Sequence, residues 1–430
     1  MSQKTSKKLR NLLIYQVYVR NYSEAGTFKA LENDLERIKA LGVDIVYLLP
    51  IHPIGEKNRK GTLGSPYSIK DYYGVNPELG TLDDFITLVK RIHALGMKVM
   101  LDIVFNHTSY DSILLHTHPE YFYKRDGKFT NKVGDWWDIT DLDYSKDKGL
   151  WSYLIEAVMY WAKLGVDGFR FDVASLLPME FLSHLVEIVK SAFPETIFLS
   201  ESVHGGFCRY LRNQGIHCLS ESEIYQVFDM AYDYDTHPYF EGYLKNENTF
   251  KRYLEALIQQ EEIYPENYVK MRNLENHDFG RFAKMVNNDI SKIKQWLALS
   301  FFSKGATMIY AGQEFCDDHL PDLFNKDVVH WNGPDLSSFI STLQALTKKE
   351  IRAFGAYDIQ LTDKDVYVGK YEEQGFRFVG IFNVGMESGY IEVPLSDGTH
   401  INLINQEEVL VKDGRMKCIS EPVLIEEVIH

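Results

Sequence analysis

Gly168-Phe169-Arg170-Phe171-Asp172 is the stretch that decides how this chain folds. An apolar, strand-like run ends in a carboxylate, with a guanidinium two residues before it. On a strand, residues two apart share a face. Arg170 and Asp172 therefore point one way, and Phe169 and Phe171 the other. If the aromatics face a layer of helices, the charged pair faces the mouth of a barrel. A guanidinium beside an aspartate lowers the acid's pKa and keeps it ionised. An ionised, oriented Asp can act as a nucleophile. Taken alone, the pair is equally well explained as a structural salt bridge.

Three more stretches end the same way: Asp102-Ile103-Val104-Phe105-Asn106-His107, Ile197-Phe198-Leu199-Ser200-Glu201 and Glu275-Asn276-His277-Asp278. Each runs from a hydrophobic segment into a polar cluster that carries an acid. Acids at the C-terminal ends of several strands are what a barrel enzyme needs to build one pocket. Glu201, at the end of an apolar strand and near other carboxylates, is expected to have a raised pKa and to suit general acid catalysis. None of these clusters carries the Cys or multi-His ligands of a zinc site. Two carboxylates flanking a bond are the machinery of glycoside hydrolysis.

The rest of the chain supplies the barrel. Strand-like segments at 12–19, 44–49, 98–104, 166–171, 196–199, 225–229, 269–274 and 307–310 alternate with helical periodicity at 28–41, 82–95, 150–164, 179–192, 250–260, 290–303 and 339–351. Eight strands alternating with helices predict a (β/α)₈ barrel. Residues 107–148 break the rhythm and read as a functional excursion after the third strand. After Gly355 the pattern changes to short strands at 365–371, 376–383, 389–393, 401–403 and 408–411, an appended antiparallel β domain. The expected division is a barrel over 1–106 and 149–354, a short excursion domain over 107–148 and a C-terminal β domain over 355–430.

Composition narrows the partners. The chain has 430 residues and a formal net charge of −15, which disfavours nucleic acid and anionic membrane surfaces. Its 27 Tyr, 25 Phe and 6 Trp offer faces on which sugar rings stack, although core packing claims most aromatics. The four cysteines, Cys208, Cys218, Cys316 and Cys418, form no C-x-x-C pair and read as unpaired cytoplasmic thiols. The basic N-terminus and the apolar run at 12–19 read as a first strand rather than a signal peptide, because Gln16 interrupts the run and no A-x-A-like site follows it.

With these segments in order, the chain resembles the α-amylase family of glycoside hydrolases. The family's D-x-V-x-N-H pattern is met by Asp102–His107, its G-x-R-x-D by Gly168–Asp172, the acid of its fifth strand by Glu201 and its N-H-D by Asn276–Asp278. Gly64-Ser65-Pro66-Tyr67, Asp141-Leu142-Asp143-Tyr144 and Tyr310-Ala311-Gly312-Gln313-Glu314 add support. The resemblance implies a retaining enzyme that cleaves α-1,4 bonds of α-glucan oligosaccharides. Asp172 would be the nucleophile, Glu201 the acid and base, and Asp278 the stabiliser of the transition state. Arg170 would orient Asp172 and count, with Tyr67, His107 and His277, among the substrate-binding residues. Asp102 would support the site rather than act in it. No cofactor is required for the chemistry. Asn106 matches a calcium ligand of the family, but the other ligands come from an excursion domain that is reduced here, which leaves calcium open. Val173-Ala174-Ser175-Leu176 stands where many relatives carry Lys-His, so the family's aglycone-side lysine is missing. Two alternatives share these motifs: a transferase that passes the glycosyl group to a glucan or to phosphate, and a non-catalytic sugar-binding homologue.

Overall fold

The computed structural model describes residues 4–134, 136–145 and 148–429. Eight parallel strands close into a barrel: β1 (Leu13–Val17), β2 (Ile45–Leu48), β3 (Lys98–Ile103), β4 (Gly168–Phe171), β5 (Ile197–Ser200), β6 (Met230–Tyr232), β7 (Lys270–Arg272) and β8 (Ala306–Tyr310). Alternation sorts their side chains. Ile14, Tyr47, Met100, Leu199, Met271 and Met308 fill the barrel, while Tyr15, Leu48, Leu101, Phe169, Phe171 and Phe198 pack outward under the helices. Gln16, Asp102, Arg170, Asp172 and Glu201 have inward parity but lie one layer higher, at the C-terminal rim.

Local chemistry sets the helices. In Leu82–Ala94, Thr81 and Asp84 form a capping box, and Phe85, Leu88, Val89 and Ile92 make the buried stripe. The helix expected over 28–41 is two, Phe28–Glu32 and Leu35–Ala40, separated at Asn33-Asp34, which favour turns over helix interiors. The segment at 339–351 also divides, into Ser337–Thr347 and Glu350–Phe354. The sixth strand differs most from expectation. Residues 225–229 do not form it. Ser220 and Glu223 close a second capping box that winds Glu221–Ile224 into a helix, and the chain enters the barrel only at Met230. A strand of three residues leaves too little alternation to be seen in sequence.

Within the excursion, His107–Ser109 pairs with Ile139–Asp141, and Lys124–Arg125 with Lys128–Phe129. The C-terminal region contains two four-stranded antiparallel sheets. One is ordered β9 (Ala356–Gln360), β10 (Tyr367–Glu373), β11 (Phe376–Phe382), β16 (Val423–Val428). The other is ordered β12 (Tyr390–Glu392), β15 (Arg415–Lys417), β14 (Glu408–Lys412), β13 (Gly398–Ile401). β9, β15 and β16 were not anticipated, and β13 lies N-terminal to the expected 401–403. The first sheet seats Tyr367, Tyr371, Phe378 and Phe382 around Phe302 of the barrel. No helix among the described residues is long and apolar enough to cross a membrane.

Candidate active site

Strand register brings the acids together. Asp102 of β3 is directly opposite Arg170 of β4, and Arg170 opposite Leu199 of β5. The ladder continues one step past each strand end, where Asp172 N–H donates to Ile103 O at 2.9 Å and Glu201 N–H to Phe171 O at 3.0 Å. Gly168 permits the close approach, since a Cβ there would meet Ile197 O at 3.0 Å. Both carboxylates therefore leave adjacent strands at the same height and on the same side.

Arg170 is fully buried beneath them and joins three acids. Nη1 donates to Asp102 Oδ1 at 2.8 Å and to Asp172 Oδ1 at 3.0 Å. Nη2 lies 3.0 Å from Glu201 Oε1, off the hydrogen-bonding line, so that contact is an ion pair without a directed bond. The rings of Tyr67 and Tyr232 flank the guanidinium at 5.8 and 5.5 Å. Arg170 does not line the cavity above. Its contacts are with the carboxylates it orients.

The direction of the Asp172 pKa is a correction. Burial, and then the charge of Glu201, push the carboxyl well above the ordinary carboxylate range, against the pull of Arg170. Sequence displays the cationic neighbour but not the depth of burial, which wins here. Carboxylates this close titrate as a set.

Asp278 stands across the cavity with its side chain 42% exposed to it. The surrounding walls still push its carboxyl upward, with Arg170 opposing, and that exposure weakens the push. His277 Nε2 is 3.1 Å from Asp278 Oδ2 and 2.6 Å from Tyr67 Oη, while Tyr67 donates its hydroxyl proton to Asp102 Oδ2 at 3.0 Å. Gln16 Nε2 lies 3.2 Å from His277 Nδ1. The pattern is self-consistent for a neutral His277 with its proton on Nε2, and burial lowers its pKa to about 4. His107 is also buried and lowered to about 4 by burial, with the Trp136 ring centroid 5.8 Å away. Glu275 stays outside the cavity, held by Arg281 at 2.7 Å and by the Phe282 N–H at 2.7 Å.

A cavity of about 650 Å³ opens above these groups, lined by Tyr67, His107, Asp172, Glu201, His277 and Asp278 among others. Tyr234, His237 and Phe279 form one aromatic wall, with His237 stacked on Phe279 at 3.8 Å. Sequence reasoning missed this wall. It also missed Val173, whose backbone N–H donates to Glu201 Oε2 at 2.7 Å. Val173 sits at φ 38° and ψ 43°, a left-handed conformation that a β-branched residue adopts only under strain. No residue-type pattern announces a backbone donor, although a β-branched residue directly after the acid was a place to look.

The chain that carries this assembly matches a known family. Residues 16–354 match the family described as "Alpha amylase, catalytic domain", and residues 358–425 match "Bacterial Alpha amylase C-terminal domain". The chain belongs to the α-amylase family. It is similar to an α-amylase from Lactobacillus plantarum, at 44% identity over 98% of this chain and 100% of that one, with a TM-score of 0.95. It is also similar to a noncanonic maltogenic α-amylase from Thermotoga neapolitana, at 32% identity with the same coverage and a TM-score of 0.87. Curated relatives are named differently. An alpha-1,4-glucan:maltose-1-phosphate maltosyltransferase from Picrophilus torridus is 27% identical over 89% of this chain and 62% of its own length. One from Methylacidiphilum infernorum is 35% identical over 44% of this chain and 32% of its own. The chain thus spans less than two thirds of those relatives.

The α-amylase resemblance suggested a calcium ion at Asn106, and the residues present do not fit one. Calcium needs six to eight converging oxygens. The Asn106 amide nitrogen faces His107 Nδ1 at 3.1 Å and Asp141 Oδ1 at 3.4 Å. The other Asp141 oxygen accepts the Lys132 backbone N–H at 2.8 Å, and the Lys132 ammonium reaches Leu142 O at 3.4 Å. Burial raises Asp141 to about 6. Among the described residues no three His, Cys, Asp or Glu are grouped to hold a metal.

Proposed function

We propose that the protein is a retaining α-glucan hydrolase acting on α-1,4 bonds of maltodextrins. The observation that carries this reading is the convergence of Asp172 and Glu201 on adjacent nitrogens of one guanidinium at the floor of an aromatic cavity. That linkage favours the short carboxyl spacing of retaining enzymes, about 5–5.5 Å, over the wider gap that admits a water in inverting ones. Asp172 attacks the anomeric carbon while Glu201 protonates the departing oxygen. A covalent glycosyl-enzyme forms, and Glu201 then takes a proton from the water that releases it. Arg170 orients both acids. Asp278, His277 and His107 hold the sugar hydroxyls, Tyr67 stacks on the ring, and Asp278 balances the positive charge that develops on it. Proton transfer and covalent catalysis need no cofactor here.

The relatives' names, maltosyltransferases of α-1,4-glucan and maltose-1-phosphate, keep glycosyl transfer as the rival reading. Electrostatics favours hydrolysis. The cavity lining carries Asp138, Asp172, Glu201, Glu241 and Asp278 against Lys60 as its one Lys or Arg among the described residues, and Lys60 is paired to Asp138. A sugar phosphate would enter an acidic cleft without a free cation to meet it. The four buried, unbonded thiols favour a reducing compartment such as the cytoplasm.

The test is product profiling on maltooligosaccharides with and without inorganic phosphate, alongside Asp172→Asn and Glu201→Gln. Hydrolysis is expected to give shorter products only, unchanged by phosphate, with each variant down by about 10³-fold or more. Longer products or a sugar phosphate would establish transfer, and near-normal turnover by either variant would remove the mechanism.

A further inference from the structure

The cleft has two ends, and they are built differently. Glu201 meets the departing oxygen in the proposed reaction, so the loop that follows it, with Val203, His204 and Phe207, receives the leaving sugar. Another part of the cavity lining comes from the loops after β2, β3 and β8, which are fastened to one another. Lys60 Nζ lies 3.0 Å from Asp138 Oδ1, with side chains 24% and 3% exposed. The same ammonium is 5.6 Å from the ring centroids of both Trp137 and Phe324. Leu63 N–H donates to Phe324 O at 2.9 Å, and the backbone N–H and hydroxyl of Thr62 both donate to Asn325 Oδ1, at 2.9 and 2.8 Å. Ser68 Oγ donates to Asp138 O at 3.2 Å. Gly61, at φ 61°, lets the two loops touch, since a Cβ there would lie 2.7 Å from both the Cβ and the carbonyl oxygen of Phe324.

We propose that this bridge closes the glycone end, so that the enzyme takes the non-reducing end of an α-glucan and releases short products, with Lys60 as the specificity-determining residue. The proposal rests on the hydrolase reading and deepens it. A polymer threading through that end would have to part Lys60 from Asp138 and leave a buried carboxylate without its counter-ion. A chain end only has to stop there. Lys60 lines the cavity, and an ammonium carries three N–H donors, which suits the hydroxyls of a terminal sugar.

The test compares 4-nitrophenyl maltoheptaoside carrying a free non-reducing end with the same compound blocked there by a 4,6-O-ethylidene group, products being resolved chromatographically. The full chain is expected to cleave the free substrate at least about tenfold faster than the blocked one. Lys60→Met keeps the stem against Trp137 and Phe324 without the charge, and Lys60→Ala removes both. Either should bring the ratio of the two rates toward one. Equal cleavage by the unmodified protein would overturn the closed end, and a ratio unchanged in both variants would overturn the role of Lys60. Cleavage of neither substrate would instead remove the hydrolase reading, and this proposal with it.

Discussion

Replacing His52 with Asn should flatten the acid limb of the stability curve. His52 is buried in the loop after β2, edge-on to Trp161 at 5.3 Å. Its Nδ1 pairs with Gly74 O at 3.2 Å, and Nε2 has no hydrogen-bond partner. The neutral tautomer with its proton on Nδ1 satisfies this site; an imidazolium would bury an unpaired N–H. Burial accordingly lowers the pKa from 6.5 to about 4. The sign follows. Between those values the unfolded chain binds the proton and the native protein does not, so stability falls as pH falls. Nothing is lost above 6.5, about 2 kcal/mol is lost at pH 5, and about 3 kcal/mol is lost once pH is below 4. His107 and His277 are lowered to the same value and act in the same direction. Together the three cost about 6 kcal/mol at pH 5, a large share of the ~5–15 kcal/mol that holds a domain together. Asn presents an N–H where Nδ1 stood and does not titrate. The assay is urea unfolding followed by tryptophan fluorescence at pH 7, 6 and 5. The variant should be less stable at pH 7 through its smaller volume, by about 1–2 kcal/mol, and then lose about 2 kcal/mol less than the parent on going to pH 5. Parallel curves for the two proteins would refute the assignment of a neutral buried His52.

Three further outcomes follow from the site. Because Asp172 must be ionised to attack and its pKa is raised, kcat/KM should rise with pH through a limb lying above the ordinary carboxylate range; a limb at pH 4 or below would mean that Arg170 outweighs burial. Val173→Asn should raise thermal stability by about 1 kcal/mol, since Asn tolerates the left-handed conformation, and should keep the backbone N–H on Glu201; a loss of stability would show that the valine side chain matters more than its strain. Millimolar EDTA or added calcium should leave the melting temperature within about 1 °C, and a calcium-dependent rise would show that the Asn106–Asp141 region rearranges to bind the ion.

The fold and the three acids were legible in sequence because both rest on local pattern. Alternation in Gly168–Phe171 placed Arg170 and Asp172 on one face, and repetition of strand then helix implied a closed sheet. β6 was misplaced because three residues carry too little periodicity, and β9, β15 and β16 escaped notice among turns. What only the tertiary structure decided depends on distance across the chain. Arg170 reads locally as the partner of Asp172, yet it is a buried hub for Asp102, Asp172 and Glu201, residues up to 99 positions apart in sequence. Burial reversed the direction of the Asp172 pKa, and burial is a property of the whole packed molecule. Lys60 and Asp138 are 78 positions apart, and no local pattern links them. Their pairing across the cleft appears only when the loops after β2 and β3 are brought side by side by the barrel. Sequence alone determined which chemical groups stand at the strand ends. Closure of the barrel determined which of them meet, how dry their surroundings are and where the cleft stops.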